Sequence, residues 1–122
     1  MHIHESAEDY LEAILRLRES KGYVRSVDIS QLLNVTKPSV SFAMKKLREN
    51  GYILMDEESR ISLTETGEAV ARKIFERHTV LSRMLMALGV DETTASEDAC
   101  KIEHVISDAT FEAIKNHMYT RG

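Results

Sequence analysis

The stretch that decides the fold is SVDISQLLNVTKPSVSFAMKKLRENGYI, residues 26–53. Its first part, VDISQLL, reads as a short helix opened by Ser26. NVTK interrupts that helix, and Pro38 suits the first turn of a second one, where the missing amide hydrogen has no helical partner to lose. The second helix, PSVSFAMKKLREN, places Val40, Met44 and Leu47 at i, i+4 and i+7, which makes one apolar face, and Gly51 stops it. The period then changes. YILM and ISLT are short β-prone runs separated by DEESR, the pattern of a hairpin. Two short helices joined by a tight turn and followed by a hairpin have the layout of a winged helix-turn-helix.

The outer side of that second helix suits contact with a duplex. Ser39 and Ser41 are small hydroxyls near its N-terminus, where the helix dipole is positive and where base edges and phosphates are approached. Lys45 and Lys46 follow at the height of the phosphate backbone, and Phe42 can meet a thymine methyl. The expected DNA-facing set is Arg25, Thr36, Lys37, Pro38, Ser39, Ser41, Phe42, Lys45 and Lys46, with Arg60 from the hairpin. The wing tip is acidic, so Arg60 is the only obvious phosphate contact there. The whole chain carries −4, which argues against bulk electrostatic attraction to nucleic acid. Residues 25–50 hold five basic side chains against Asp28 and Glu49, a local +3, and a local patch is what a groove-reading module needs.

Outward from this module the pattern is helical. Ser6 is placed to cap a first helix with Ala7, Tyr10, Leu11, Ile14 and Leu17 as its apolar stripe, ending near Gly22. Thr64 caps a long helix running to about Leu88, with Val70, Ile74, Leu81, Leu85 and Leu88 as core-facing rows and Gly89 as its stop. A fifth helix is expected over about 94–106 and a sixth from Ser107 to Tyr119. The expected fold is mainly α: a winged helix-turn-helix DNA-binding domain over residues 1–70, followed by a helical domain over residues 71–122. One cysteine cannot form an internal disulfide, no apolar run reaches membrane-spanning length, and MHIHESAEDY lacks the layout of an export signal. A cytoplasmic protein without a membrane partner is expected.

Near the end of the chain stands CKIEH, residues 100–104. Cys100, Glu103 and His104 share one face of a helix. Beside them Ala95, Ala99, Ile102, Ile106 and Ala109 form a packing stripe suited to a helix–helix seam, so the three polar residues are expected next to the core rather than in it. Asp9 and Glu12 are an i, i+3 carboxylate pair on the first helix, and His78 follows the core position Ile74 by one turn. Three helices can thus offer carboxylates, imidazoles and a thiol to one cation. Oxygen and nitrogen donors with at most one sulfur suit Mn(II) or Fe(II), with Co(II), Ni(II) or Zn(II) able to compete. Each residue also has an ordinary reading. Asp9, three residues after Ser6, fits a helix start; Glu12 fits a solvated face; His78 fits a satisfied core histidine; and Cys100 fits a buried thiol. His2, His4 and His117 read as surface residues.

These pieces resemble the diphtheria-toxin-repressor and manganese-transport-regulator family of metal-activated repressors. The resemblance rests on SAEDYLEAI, the helix-turn-helix stretch, ISLTETGEAVA, ERHTVLSRML, LGVDE and EDACKIEHVIS, in that order along nearly the whole chain. It implies Asp9, Glu12, His78, Cys100, Glu103 and His104 as metal ligands, a double-stranded DNA operator, and a homodimer built on the last two helices. It implies a repressor of metal-ion uptake genes activated by Mn(II) or Fe(II), and no enzymatic activity. Asp9 is the residue of manganese-type members and Cys100 that of iron-type members, so the two patterns meet in this chain. The rival reading is a metal-independent winged-helix regulator sensing an organic ligand or a protein partner. That reading makes Cys100, Glu103 and His104 dispensable. A metallohydrolase would need an open coordination site and a general base, and no H-E-x-x-H is present.

Overall fold

The computed structural model describes residues 5–120. His2 and His4 lie outside the described residues. The chain forms α1 (Glu5–Lys21), α2 (Ser26–Leu33), α3 (Lys37–Glu49), β1 (Ile53–Met55), β2 (Ile61–Leu63), α4 (Glu65–Ala87), α5 (Glu92–Ile102) and α6 (Asp108–Thr120). The fold is mainly α with a winged helix-turn-helix in its first part. The chain divides between Arg72 and Lys73 into two compact units.

The first unit is built around α1. Leu11, Ile14, Leu15 and Leu17 are buried along its inner face and pack with Val24, Ile29, Val40, Met44, Leu47, Ile53 and Ile61. Ala7 and Tyr10 are only partly buried at the edge of that cluster. Ser6 lies inside α1 rather than capping it, so the reading of Asp9 as completing a Ser6 cap falls away. Ser26 likewise is not the cap of α2. Arg25 is, and its amide donates to the Asp28 carboxylate at 2.9 Å, a contact that the Lys21 ammonium reinforces from the end of α1. The Lys21 hydrogen bond, ahead of the Arg25 amide, holds the Asp28 carboxyl below its usual range. α2 ends in a left-handed Asn34 (φ 55°), a conformation asparagine tolerates better than most residues. Thr36 then caps α3 by accepting the Ser39 amide at 3.2 Å. Val40, Met44 and Leu47 are the buried residues of α3, which leaves its opposite face to solvent.

β1 and β2 pair antiparallel with Ile53 opposite Leu63 and Met55 opposite Ile61. The hairpin is tied to the helices at its root. The Ile61 amide donates to the Val24 carbonyl between α1 and α2 at 2.7 Å. Thr64 caps α4 by accepting the Gly67 amide at 3.1 Å, while its own hydroxyl donates to the Gly51 carbonyl at 2.7 Å. Gly67 is pressed so closely on the strand root that a Cβ there would stand 2.0 Å from the Tyr52 carbonyl oxygen. At the next residue, the Glu68 carboxylate takes both terminal guanidinium nitrogens of Arg18 on α1, at 2.8 and 3.1 Å, and also the Arg72 side chain.

In the second unit Ile74, Val80, Leu81, Ala95, Ala99 and Phe111 are buried. Four sequence expectations are corrected here. α5 starts at Glu92, because Asp91 rather than a later residue caps it, accepting the Thr94 amide at 3.1 Å. α5 stops at Ile102, well before Ile106, since Ser107 caps a new helix by accepting the Thr110 amide. Leu88 is 74% exposed, because α4 has already ended at Ala87 and the chain turns at Gly89 (φ 103°). Ala109 is exposed on α6, and of the stripe only Ala95 and Ala99 are fully buried, with Ile102 and Ile106 half-buried.

Two measurements test this account. Alanine in place of glycine ordinarily favours a helix by about 1 kcal/mol. At Gly67 the sign reverses: Gly67→Ala is expected to lower unfolding stability by about 1–3 kcal/mol through overpacking against Tyr52, seen as a lower urea midpoint at unchanged m-value. The Arg18 and Arg72 side chains hold the Glu68 carboxyl down to about 2 from an ordinary 4.5. A depressed carboxyl stabilises the fold above its unfolded value and loses that contribution as pH falls. The melting-temperature gap between wild type and Glu68→Gln should therefore be full at pH 7 and close between pH 4.5 and about 2. A gap independent of pH would contradict the Arg18 clamp.

Candidate metal centre and nucleic-acid interface

The inner row of α3 is buried with Ala43 packed beside it, so the side chains of the opposite face meet water. Thr36, Lys37, Pro38, Ser39, Ser41, Phe42, Lys45 and Lys46 are all exposed, as are Arg25 and Arg60. Thr36 donates its hydroxyl hydrogen to Ser39 Oγ at 2.8 Å. Phe42 is 64% exposed, and the Lys46 ammonium lies over its ring, 5.4 Å from the centroid. Tyr23 lies between Lys21 and Arg25, whose charges stand 5.2 and 5.5 Å from its ring centre. Arg60 differs from the other cations. Its guanidinium is bound by Asp56 Oδ2 at 3.2 Å and Glu58 Oε2 at 2.5 Å within the hairpin tip. Asp56 also accepts the amides of Glu58 and Arg60, and the Arg60 amide is the first cause of its lowered pKa.

In the second unit α4 and α5 bring three unlike donors together. His78 Nδ1 lies 2.9 Å from Glu103 Oε1 and 3.7 Å from Cys100 Sγ. One ligand atom from each of the three falls within 4.8 Å of the others. His104 Nε2 stands 3.7 Å from the second Glu103 oxygen. His78 and His104 are half-buried and Cys100 is exposed, so the ordinary reading of Cys100 as a buried thiol does not apply. Glu103 is 0% exposed, contrary to its expected place beside the core. The reason is spacing: Ala95, Ala99 and Glu103 succeed one another at i+4, so the carboxylate continues the buried row of α5. Asp9 and Glu12 lie on α1 in the first unit, Asp9 half-buried and Glu12 buried, so Glu12 is not a solvated face residue.

The donors fit a divalent cation. A carboxylate removed from water needs compensation for both oxygens. Glu103 Oε1 meets the His78 ring, but Oε2 accepts no hydrogen bond from any described residue. Carboxylate oxygen, imidazole nitrogen and one thiolate sulfur make a mixed set of borderline hardness, the class that first-row divalent ions take.

Two residues at this centre escaped the sequence reading. Ser96 Oγ lies 3.4 Å from His78 Nε2, one α5 turn before Cys100. Arg77 is buried at 6% exposure. Its guanidinium donates to the carbonyls of Glu103 and Ile106, both at 3.0 Å, pairs with the Asp108 carboxylate, and stacks 5.4 Å from the Phe111 ring centre. The signal was present: Ile74, Arg77 and Leu81 fall at i, i+3 and i+7, so a charge occupies a core row of α4.

Comparison with known proteins agrees with both halves. Residues 2–59 match the iron dependent repressor N-terminal DNA binding domain, and residues 64–120 match the iron dependent repressor metal binding and dimerisation domain. An HTH-type transcriptional regulator of Methanocaldococcus jannaschii is 40% identical over 116 residues, covering 93% of each chain. The HTH-type transcriptional regulator MntR of Lysinibacillus sphaericus is 36% identical over 102 residues, 84% of this chain and 73% of its own. Among solved structures, the manganese regulator SloR superposes with a TM-score of 0.82 at 28% identity, over 97% of this chain and 54% of that one. The chain thus spans about half the length of that structure. With a winged helix matching the first domain, and a buried carboxylate, a half-buried imidazole and an exposed thiol gathered in the second, the chain belongs to the iron-dependent repressor family of metal-dependent, DNA-binding transcriptional regulators.

Proposed function

We propose that this chain represses metal-ion uptake genes when Mn(II) or Fe(II) is bound, acting as a cytoplasmic homodimer on a double-stranded operator and catalysing no reaction. Co(II), Ni(II) and Zn(II) serve as surrogates. The observation that carries the reading is the fully buried Glu103, one oxygen of which accepts no hydrogen bond from any described residue, within reach of His78 and Cys100. The metal-independent alternative supplies no partner for that second oxygen.

The proposed ligands are Asp9, Glu12, His78, Cys100, Glu103 and His104. A bound divalent cation supplies positive charge and fixed ligand directions. Asp9, Glu12 and Glu103 are all acidic residues, and a shared ligand set requires a cation to offset the repulsion among their carboxylates. α1 is the scaffold on which α2 and α3 pack, and its ligand pair therefore links cation level to the DNA-reading helix. In a dimer the two α3 helices must reach successive major grooves about 34–36 Å apart, and a small change in domain setting moves them in or out of register. On the duplex, Ser39, Ser41 and Phe42 read base edges, while Arg25, Thr36, Lys37, Pro38, Lys45 and Lys46 line the phosphates. Arg60 adds little, because Asp56 and Glu58 already neutralise it.

A coupling of about 1–3 kcal/mol corresponds to about 5–150-fold in affinity. Mobility shifts on the operator upstream of the chain's own gene, or of a metal transporter, should tighten by that factor when Mn(II) or Fe(II) is added to metal-stripped protein. Equal binding with and without metal ends the reading. Glu103→Ala should keep the fold, by circular dichroism, and lose the metal response. Lys45→Ala should weaken binding to all sequences and lower the slope of log K against log salt by about 1.

A further inference from the structure

Arg77 is a buried cation that the proposed ligand set does not use. A buried guanidinium carries a large desolvation cost unless every part of it is engaged, and here the engagement is specific. Two of its bonds go to main-chain carbonyls, Glu103 and Ile106, which bracket the turn that follows α5. Those carbonyls lie past the end of α5, where no further helical amide reaches them. The third contact is the Asp108 carboxylate at the first residue of α6, which Lys73 also approaches, at 3.3 Å. The Phe111 ring closes the guanidinium face. One side chain from α4 therefore fixes the main-chain path from Glu103 to the start of α6, and with it the directions of Glu103 and His104.

We propose that Arg77 is a positioning residue for the cation site: by holding the turn after α5 it sets the aim of Glu103 and His104, and so the affinity for the ion. The proposal rests on the cation site of the reading above, not on its coupling to DNA. A planar fork is what the site requires, because two carbonyls and a carboxylate must be met from one centre. Lysine can keep the charge and part of the bonding but not all three directions.

The test is Mn(II) affinity, read by competition with a fluorescent divalent-ion chelator at 10 °C on full-length, metal-stripped protein whose helix content is checked by circular dichroism. Arg77→Gln is expected to weaken Mn(II) binding tenfold or more. Arg77→Lys should recover part of that loss, and Asp108→Asn, which leaves the arginine in place but slackens it, should lose several-fold. Lys115→Ala removes a surface ion pair of 2.8 Å to Glu76 that joins the same two helices, and should bind as wild type. That control separates aim from general weakening of the α4–α6 packing. Wild-type affinity in folded Arg77→Gln overturns the proposal. If that variant does not fold, wild-type affinity in Asp108→Asn overturns it instead. A wild type that binds Mn(II) with no effect on DNA defeats the switch but not this inference, and a wild type that binds no divalent cation removes both.

Discussion

The burial of one carboxylate, Glu103, constrains the second unit more than any other interaction. Its position on the i+4 row of Ala95 and Ala99 commits a carboxyl side chain to the interior. His78 meets one oxygen. Arg77 meets the backbone of the same residue and not the side chain, so it stabilises the turn without neutralising the carboxylate. Glu103 Oε2 is left without a hydrogen-bond donor among the described residues, and that is the feature the proposed cation site rests on.

The first unit solves a different problem. A helix-turn-helix of two short helices has little core of its own, and its stability comes from α1 beneath it and from the hairpin root beside it. Main-chain bonds from Ile61 to Val24 and from Thr64 to Tyr52 join strand, loop and helix where side-chain packing is thin. Arg18 and Glu68 then secure α1 to the opening of α4. The outer face of α3 is thereby left with no structural duty beyond its Thr36 cap, and its side chains are available for a ligand.

The DNA-reading half was legible in the sequence because its signals are local. Pro38 after a tight turn, the Val40–Met44–Leu47 row and the switch from period 3.6 to period 2 each determine structure within a few residues. Thr64 and Ser107 were found as caps for the same reason. Where reading failed, the deciding contact was distant or competing. Ser26 looked like a cap, but Asp28 supplies the hydrogen bond from inside the helix, reinforced by Lys21 from the preceding one. The end of α5 was missed because Ala95 to Ile106 keeps helical spacing, and the helix stops where Arg77, some 26 residues earlier, collects its carbonyls. Glu103 was placed beside the core, since a glutamate on an alanine row reads as polar surface unless its partner on α4 is known. The triplet Cys100, Glu103, His104 was legible as chemistry; its depth was not.

The ion pairs inside the hairpin tip carry an electrostatic consequence. Affinity for random duplex comes mainly from displacing condensed counterions, one for each phosphate met by a mobile cation. A tip whose only arginine is already shared between two carboxylates displaces none, and its surplus acid repels the backbone. Among the cations of the winged helix, Lys37, Lys45 and Lys46 on α3 then carry the exposed positive charge that the hairpin tip lacks.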